Sequence, residues 1–402
     1  MSARLREVPW AALEGLASTL EPALARILSG AAADTELDRL LRANRHFSAH
    51  QRRVTAEALF GVGLWRRRLR AHAGPTASPL QLLACLARDL GGDATAPQRL
   101  GVDLPPSQPL TDWRDRTSLP DWLAEALEAA VGTADAPTLA DALNTPGPIT
   151  VRANTARTTR DALATRLAAE DRPTTPGRWS PDALHLTIRP ANLTATQPWR
   201  EGLFELQDEG SQLLAALVPE GDTLLDLCAG AGGKTLALAA RLPTATLHAT
   251  DVDHARVERL RLRASRAGAS VRLHHALPPD LRVDHVLIDA PCSELGALRR
   301  GPDLRWRLDP ATFSQWPPIQ RALLEQARAH LEPGGTLTYA TCTLRPEENE
   351  HVVAAFLERH PDFTRERPAL PDELLDADGA LRLFPHRHGT DGFFAVRLRQ
   401  RR

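Results

Sequence analysis

From about residue 206 the chain alternates short β-type runs with amphipathic helical stretches, and this alternation constrains the fold more than any other feature. TLLDLCAG leads to GKTLALAARL, ATLHATD to HARVERLRLRASRAG, and VRLHHA to a further strand, DHVLIDAP. QRALLEQARAHL, GTLTYATCT and PEENEHVVAAFLERH follow, and two β-rich pieces, LRLFP and GFFAVRLRQ, close the chain. Parallel neighbours need crossover connections, and right-handed crossovers build a doubly wound sheet. The expectation is an α/β, Rossmann-like domain over residues 206–402, with a mostly parallel sheet and its ligand beyond the carboxyl ends of the strands.

The first strand turns into the first helix through Asp226-Leu227-Cys228-Ala229-Gly230-Ala231-Gly232-Gly233-Lys234-Thr235. Glycines there let backbone approach a ligand, and the helix start offers free N–H groups. A P-loop requires G-x-x-x-x-G-K-[ST], but Cys228 stands where its first glycine belongs; a dinucleotide fingerprint requires G-x-G-x-x-G, but Thr235 occupies the third glycine position. The shorter glycine turn of S-adenosylmethionine enzymes remains. Asp251, at the end of the second strand, can accept hydrogen bonds from a ribose diol. The alternative is a plain tight turn, with Asp251 capping the next helix.

Two cysteines then fall at two strand ends: Asp289-Ala290-Pro291-Cys292-Ser293 and Thr341-Cys342-Thr343. In a doubly wound sheet both ends open on the ligand crevice. Cys85, in an apolar helix, reads as packing instead. Paired thiols beside such a cofactor suit methylation of cytosine at C5. A thiolate adding to C6 makes C5 nucleophilic, a carboxyl group near N3 (Asp289) stabilises the developing charge, and a second thiol, Cys292, is a candidate for assisting release.

DLCAGAGGKT, the Asp251 strand end, DAPCS, TYATCTLRPEENE, the upstream QDEGSQL and the terminal DGFFAVRL together resemble the bacterial RNA (cytosine-5) methyltransferases of the RsmB/NOP family. The resemblance runs from about residue 146 to the end. It implies a class I methyltransferase domain using S-adenosylmethionine, with Cys342 as nucleophile and Cys292 aiding product release. It further implies that Cys228, Ala229, Gly230, Ala231, Gly232, Gly233, Lys234, Asp251 and Asp289 contact the cofactor or the target base. The helical start resembles the NusB-like RNA-binding domain of the subgroup acting on 16S ribosomal RNA. Two positions depart from the family pattern. Ala231 stands where proline is common, and His275 falls where the third strand usually ends in an adenosine-contacting Asp; an imidazole there keeps one hydrogen bond but no carboxylate.

Residues 1–140 carry apolar positions at helical spacing, which predicts an all-α, NusB-like domain. A small α+β, RRM-like, RNA-binding subdomain is expected over 146–205, from the run Ile149–Val151, a helix opened near Thr158 and Thr159, and the strand candidates LHLTIRP and GLFELQDE. Arg299, Arg300, Arg305 and Trp306 combine guanidinium groups with an aromatic ring, suiting phosphate contact and base stacking. Arg66, Arg67, Arg68 and Arg70 form either a second RNA-facing patch or a solvated helix face. PEENE reads first as a helix opening, with proline and acids in the first turn, and the family resemblance implies a support role beneath Cys342. His386-Arg387-His388 reads as loop surface, and no metal is expected.

The start, MSARLREVPW, lacks a secretory apolar region, no run suits a membrane span, and the four cysteines are widely spaced. A cytoplasmic monomer with free thiols is expected, with RNA as its partner. The formal charge of −1 supplies no global pull toward nucleic acid, so binding must come from local patches. Among 49 basic residues, Lys234 is the only lysine, and Tyr339 is the only tyrosine. A lysine surviving in the glycine loop suggests that this position needs a compact ammonium rather than a guanidinium. The competing possibilities are a non-catalytic RNA-binding factor with a vestigial methyltransferase fold, the same chemistry on tRNA, and a DNA cytosine methyltransferase, whose nucleophile would be the PC cysteine.

Overall fold

The computed structural model describes residues 2–188 and 192–401, which divide into two compact units. The first runs to Pro146 and takes in Leu298–Pro310; the second comprises Gly147–Ala297 and the residues from Ala311 onward.

The first unit is helical, as its periodicity predicts. Its longest helix, Ala49–Ala73, opens with a capping box: Ser48 Oγ accepts from Gln51 N at 3.2 Å, and Ser48 N donates to Gln51 Oε1 at 3.0 Å. Gly61 sits inside this helix because a Cβ there would stand 2.5 Å from Leu86 Cδ2. The close approach offsets the roughly 1 kcal/mol that glycine costs in a helix. Leu20, Leu24, Val54, Leu59, Leu69, Leu82 and Leu86 form the core.

Leu298–Pro310 falls in the sequence range expected for the α/β domain but completes the helical unit instead. Arg305 is fully buried: its Nη1 donates to Asn144 Oδ1 at 2.5 Å and its Nη2 to the Leu143 carbonyl at 3.3 Å. The Arg66 guanidinium lies 4.1 Å from the Trp306 ring centroid, and Asp303 Oδ2 accepts from Ala33 N at 3.2 Å where the helix Ala33–Ala43 begins.

In the second unit a four-stranded antiparallel sheet comes first, with β1 (Thr150–Ala153), β2 (Thr174–Pro176), β3 (Ala183–Leu186) and β4 (Phe204–Leu206) in the order β2-β3-β1-β4. Thr159 caps the helix Arg160–Ala168, whose Leu163 and Leu167 pack with Val151, Leu184 and Phe204. The strand expected in LHLTIRP ends at Leu186; Arg189 and Pro190 lie outside the described residues.

The larger sheet contains β5 (Thr223–Asp226), β6 (Thr246–Thr250), β7 (Arg272–His274), β8 (Val283–Asp289), β9 (Leu331–Thr341), β10 (Phe363–Glu366), β11 (Leu381–Leu383) and β12 (Phe393–Gln400). The order is β10-β12-β9-β8-β5-β6-β7, with β11 also on β12. Pairing is parallel from β7 to β9 and antiparallel at β10, β11 and β12, so the sheet is mixed. Central strands covered on both faces read as apolar runs: Leu225, Val286, Ile288, Leu337 and Tyr339 are fully buried. Chain order steps from β5 outward to β7 and returns at β8, so the topological switch point lies between β5 and β8. The glycine loop leaves β5 there and DAPCS leaves β8.

Candidate active site

The glycine loop adopts conformations that its sequence dictates. Gly230 has φ +54° and Gly232 φ +89°, values L-residues rarely take, and a Cβ on Gly232 would also stand 2.2 Å from Leu260 Cδ1. Cβ atoms built on Gly230 and Gly233 meet nothing within 4 Å, so open space lies over the loop. Asp251 is buried beside it; its Oδ2 accepts from Gly230 N at 2.8 Å and its Oδ1 from Asp253 N at 2.8 Å. One carboxylate thus joins the ends of β5 and β6 and retains a free lone pair on each oxygen.

Asp226, at the end of β5, is fully buried, with Oδ2 accepting from Thr235 Oγ1 at 2.7 Å and Oδ1 lacking any partner. Burial, reinforced by Asp289 and Asp251 against the Thr235 bond and Lys234, pushes its carboxyl up to about 7. Lys234 Nζ donates to Asp289 Oδ2 at 2.5 Å. Burial alone would lower this ammonium, but the Asp289 carboxylate outweighs it and holds the lysine above its ordinary value. Lys234 therefore stays charged.

The parallel register sets Asp289 opposite Ala340, so β8 and β9 end together. Cys292 and Cys342, just past those ends, have their sulfurs 3.5 Å apart. The contact with Cys292, then burial and the nearby carboxylates of Asp289 and Glu294, raise the Cys342 thiol well above its ordinary value. Cys342 is thus a neutral thiol at rest. Burial does the same to Cys228 in the glycine loop.

The two cysteine loops are tied together by the PEENE segment, a short turn at Pro346–Glu348 followed by the helix Glu350–Arg359. The fully buried Glu348 carboxylate accepts from Ser293 N at 2.9 Å, Ser293 Oγ at 2.5 Å and Gln320 Nε2 at 3.2 Å. Asn349 accepts from Thr341 Oγ1 at 2.5 Å and donates to the Thr343 carbonyl at 3.1 Å. The hydroxyls of Ser293 and Thr343 meet at 2.7 Å, and Tyr339 donates to the Glu348 carbonyl at 2.6 Å. A helix-opening reading of PEENE misses this network.

The structure therefore gathers Lys234, Asp289, Cys292 and Cys342, with Asp226 and Asp251 alongside. His275 follows β7, exposed, its ring 4.6 Å from that of His254. Arg305 and Trp306 do not join this group. They are held inside the helical unit, where a fully buried guanidinium bonded to Asn144 has no face to offer a phosphate, and the RNA-contact expectation for Arg305 is replaced by a packing role. Arg66, Arg67 and Arg68 of the Arg66–Arg70 stretch are likewise engaged, while Arg70 is exposed. Arg67 meets Asp115 and Asp121 at 2.6 Å each, Arg66 stacks on Trp306, and Arg68 donates to the Arg116 carbonyl. Arg299 is buried and Arg300 exposed. Among the described residues no group of three or more His, Cys, Asp or Glu side chains could hold a metal ion, and no helix is long and apolar enough to cross a membrane.

A model of the 16S rRNA methyltransferase RsmB/F family matches residues 214–399, and a model of the ferredoxin-like domain of RsmF/B-like methyltransferases matches residues 119–191. The chain is 35% identical over 303 residues to the probable ribosomal RNA small subunit methyltransferase B of Synechocystis, covering 71% of this chain and 68% of that one. It belongs to the RsmB/F family. The ribosomal RNA small subunit methyltransferase B of Erwinia tasmaniensis is 33% identical over 300 residues, with 72% and 68% covered. The crystal structure of a methyltransferase homologue from Pyrococcus horikoshii superposes with a TM-score of 0.63 at 29% identity, covering 72% of this chain and 98% of that one. The RsmB/F match contains the glycine loop, both paired thiols and PEENE, whereas the helices before residue 119 lie outside both matched ranges. An RNA methyltransferase domain and a ferredoxin-like domain follow from these matches.

Proposed function

We propose that this RsmB/F protein uses S-adenosylmethionine to methylate C5 of a cytosine in RNA, with 16S ribosomal RNA as substrate, through a transient bond between Cys342 and C6. The observation that carries the reading is the pair of thiols 3.5 Å apart at the ends of β8 and β9, next to the Lys234–Asp289 ion pair. A vestigial fold has no use for that arrangement.

The residues fit the cofactor. Asp251 has lone pairs for a ribose diol, the glycine loop is uncluttered above Gly230 and Gly233, and the buried Asp226 Oδ1 is an orphan acceptor near the loop. Cys228, Ala229, Ala231 and Gly232 complete the loop, and His275 takes the adenosine side. When bound, S-adenosylmethionine supplies an electrophilic methyl group.

The resting Cys342 thiol must lose its proton as Sγ bonds to C6, while N3 of the cytosine gains one. Asp289 carries the proton between them, and Lys234, hydrogen-bonded to it, keeps it oriented beforehand. With the C5–C6 double bond broken, C5 would be nucleophilic toward the methyl group the cofactor supplies. A base then takes the C5 proton as Cys342 leaves as a thiolate, and the N3 proton returns through Asp289 to that thiolate, restoring the ring and the resting thiol. Cys292, in contact with Cys342, assists that last step. The target base must be unpaired or flipped, because C6 is attacked from above the ring. Arg300, the exposed arginine of the predicted group, the helical unit and the ferredoxin-like domain bind the RNA.

Labelled S-adenosylmethionine and ribosomal RNA test the mechanism. Cys342→Ala is expected to abolish transfer, and Cys292→Ala to accumulate a protein–RNA adduct stable to denaturant. Full activity without Cys342 would rule the mechanism out, and no transfer by the wild type would favour a non-catalytic factor.

A further inference from the structure

We propose that Arg263 is a positioning residue for the methyl-donor loop and that Glu205, on the small sheet, orients it; this rests on the cofactor reading above. Glu205 lies on β4, is 2% exposed, and is the cross-strand partner of the buried Arg152. Its carboxylate is held by two arginines of the helix His254–Ala267: Arg263 Nη2 donates to Oε2 at 2.8 Å, and Arg266 donates to Oε1. The two arginines differ in what they do with their remaining donors. Arg266 donates to the Trp199 carbonyl at 3.0 Å and stacks on the Trp199 ring at 3.7 Å, so it stays with the small subdomain. Arg263 Nη1 instead donates to the carbonyl of Ala231 at 2.6 Å.

Ala231 is the point in the loop where such a grip has most effect. It stands between Gly230 and Gly232, both at positive φ, and glycines flanking a residue give its peptide planes unusual freedom. Asp251 holds the Gly230 N–H, Leu260 packs on Gly232, and Arg263, one helical turn after Leu260, holds the carbonyl between them. The planar guanidinium reaches Ala231 from Nη1 and Glu205 from Nη2, a fixed fork that an ammonium, with all its donors on one nitrogen, does not reproduce. The small sheet thereby contributes to the cofactor site without touching it.

The test is binding of S-adenosylhomocysteine by calorimetry and steady-state kinetics with RNA for Arg263→Met, Arg263→Lys, Glu205→Gln and Arg266→Met. Freeing the loop is expected to weaken binding about tenfold in Arg263→Met, the size of one charge-assisted hydrogen bond, and to raise KM for S-adenosylmethionine with kcat nearly kept. Glu205→Gln should shift KM the same way by less. Arg266→Met removes the more buried arginine, so it should lower Tm yet bind within twofold of wild type. A purely structural network predicts the reverse ranking. Should Arg263→Met fail to fold, Arg263→Lys decides, since it keeps a cation beside Glu205 but loses the fork. Binding by the folded Arg263 variant within twofold of wild type overturns the proposal. Failure of the wild type to bind S-adenosylhomocysteine at all removes instead the cofactor reading on which it stands.

Discussion

The two units each hold a cation away from solvent, Lys234 in one and Arg305 in the other, and these two are treated in opposite ways. Lys234 is paired with a carboxylate 2.5 Å away and is held above its ordinary pKa. Arg305 is bonded only to an amide oxygen and a carbonyl, has an unpartnered Nε, and is pulled down to about 9 by burial, with Asp303 the lone opposing charge. A paired charge at a helix start beside the strand ends is ready for chemistry, whereas a guanidinium held by a side-chain amide and a carbonyl fixes a chain segment in place. Burial does not separate the two roles; the partner does.

The comparison is tested hardest at Lys234. Lys234→Met leaves Asp289 without its counter-ion, and methyl transfer at saturating substrates is expected to fall about a thousandfold, the scale of one lost electrostatic contact in a dry site. Lys234→Arg keeps the charge but must fit a broad planar head where the side chain is 12% exposed, so it should lose activity by a smaller factor. Unchanged kinetics in Lys234→Arg would make the lone lysine an accident of composition.

Arg305 should respond in stability rather than in chemistry. Arg305→Ala leaves a cavity and strips Asn144 of its donor, so chemical denaturation should show a loss of about 3 kcal/mol in the helical unit. Arg305→Met, which fills the space without a charge to desolvate, should cost clearly less. Normal stability with lost RNA affinity in Arg305→Ala would return this residue to the RNA-contacting group and dissolve the contrast.

These two cations also mark what could be read from residues alone. The alternation of strands and helices located the sheet, and the sheet located Asp289, Cys292 and Cys342, because strand ends in a parallel sheet converge by geometry. Arg305 and Trp306 misled because an arginine-rich, aromatic segment has the same composition whether it meets a phosphate or a buried carbonyl; the choice is made by Asn144, 161 residues away in sequence. PEENE was legible from its residues as a helix start and from the resemblance as a support beneath Cys342, but not as the tie between two loops, since its partners Ser293 and Gln320 come from other elements. The antiparallel β10 was missed outright, a four-residue strand with a polar pattern, Phe363–Glu366. Local signals found what periodicity and turn chemistry control, and long-range pairing decided the rest.

Asp226 supplies the mildest and most specific test, because one oxygen of its buried carboxyl group has no partner. Its carboxyl is raised from 3.8 to about 7, so the folded state favours the protonated form while the unfolded chain ionises freely above about pH 4. Wild type therefore carries no penalty below that pH, loses stability progressively between about pH 4 and 7, and loses no more above it. Asp226→Asn mimics the protonated acid and keeps an acceptor for Thr235, so its stability should lack this slope. The shift caps the effect at about 4 kcal/mol, and about 2 kcal/mol is expected after relaxation around the charge. Urea melts at pH 4.5 and 8 should then show the variant gaining on wild type as pH rises. Parallel pH profiles would mean that Asp226 is ionised and solvated in solution, and that Lys234 neutralises both neighbouring carboxylates rather than Asp289 alone.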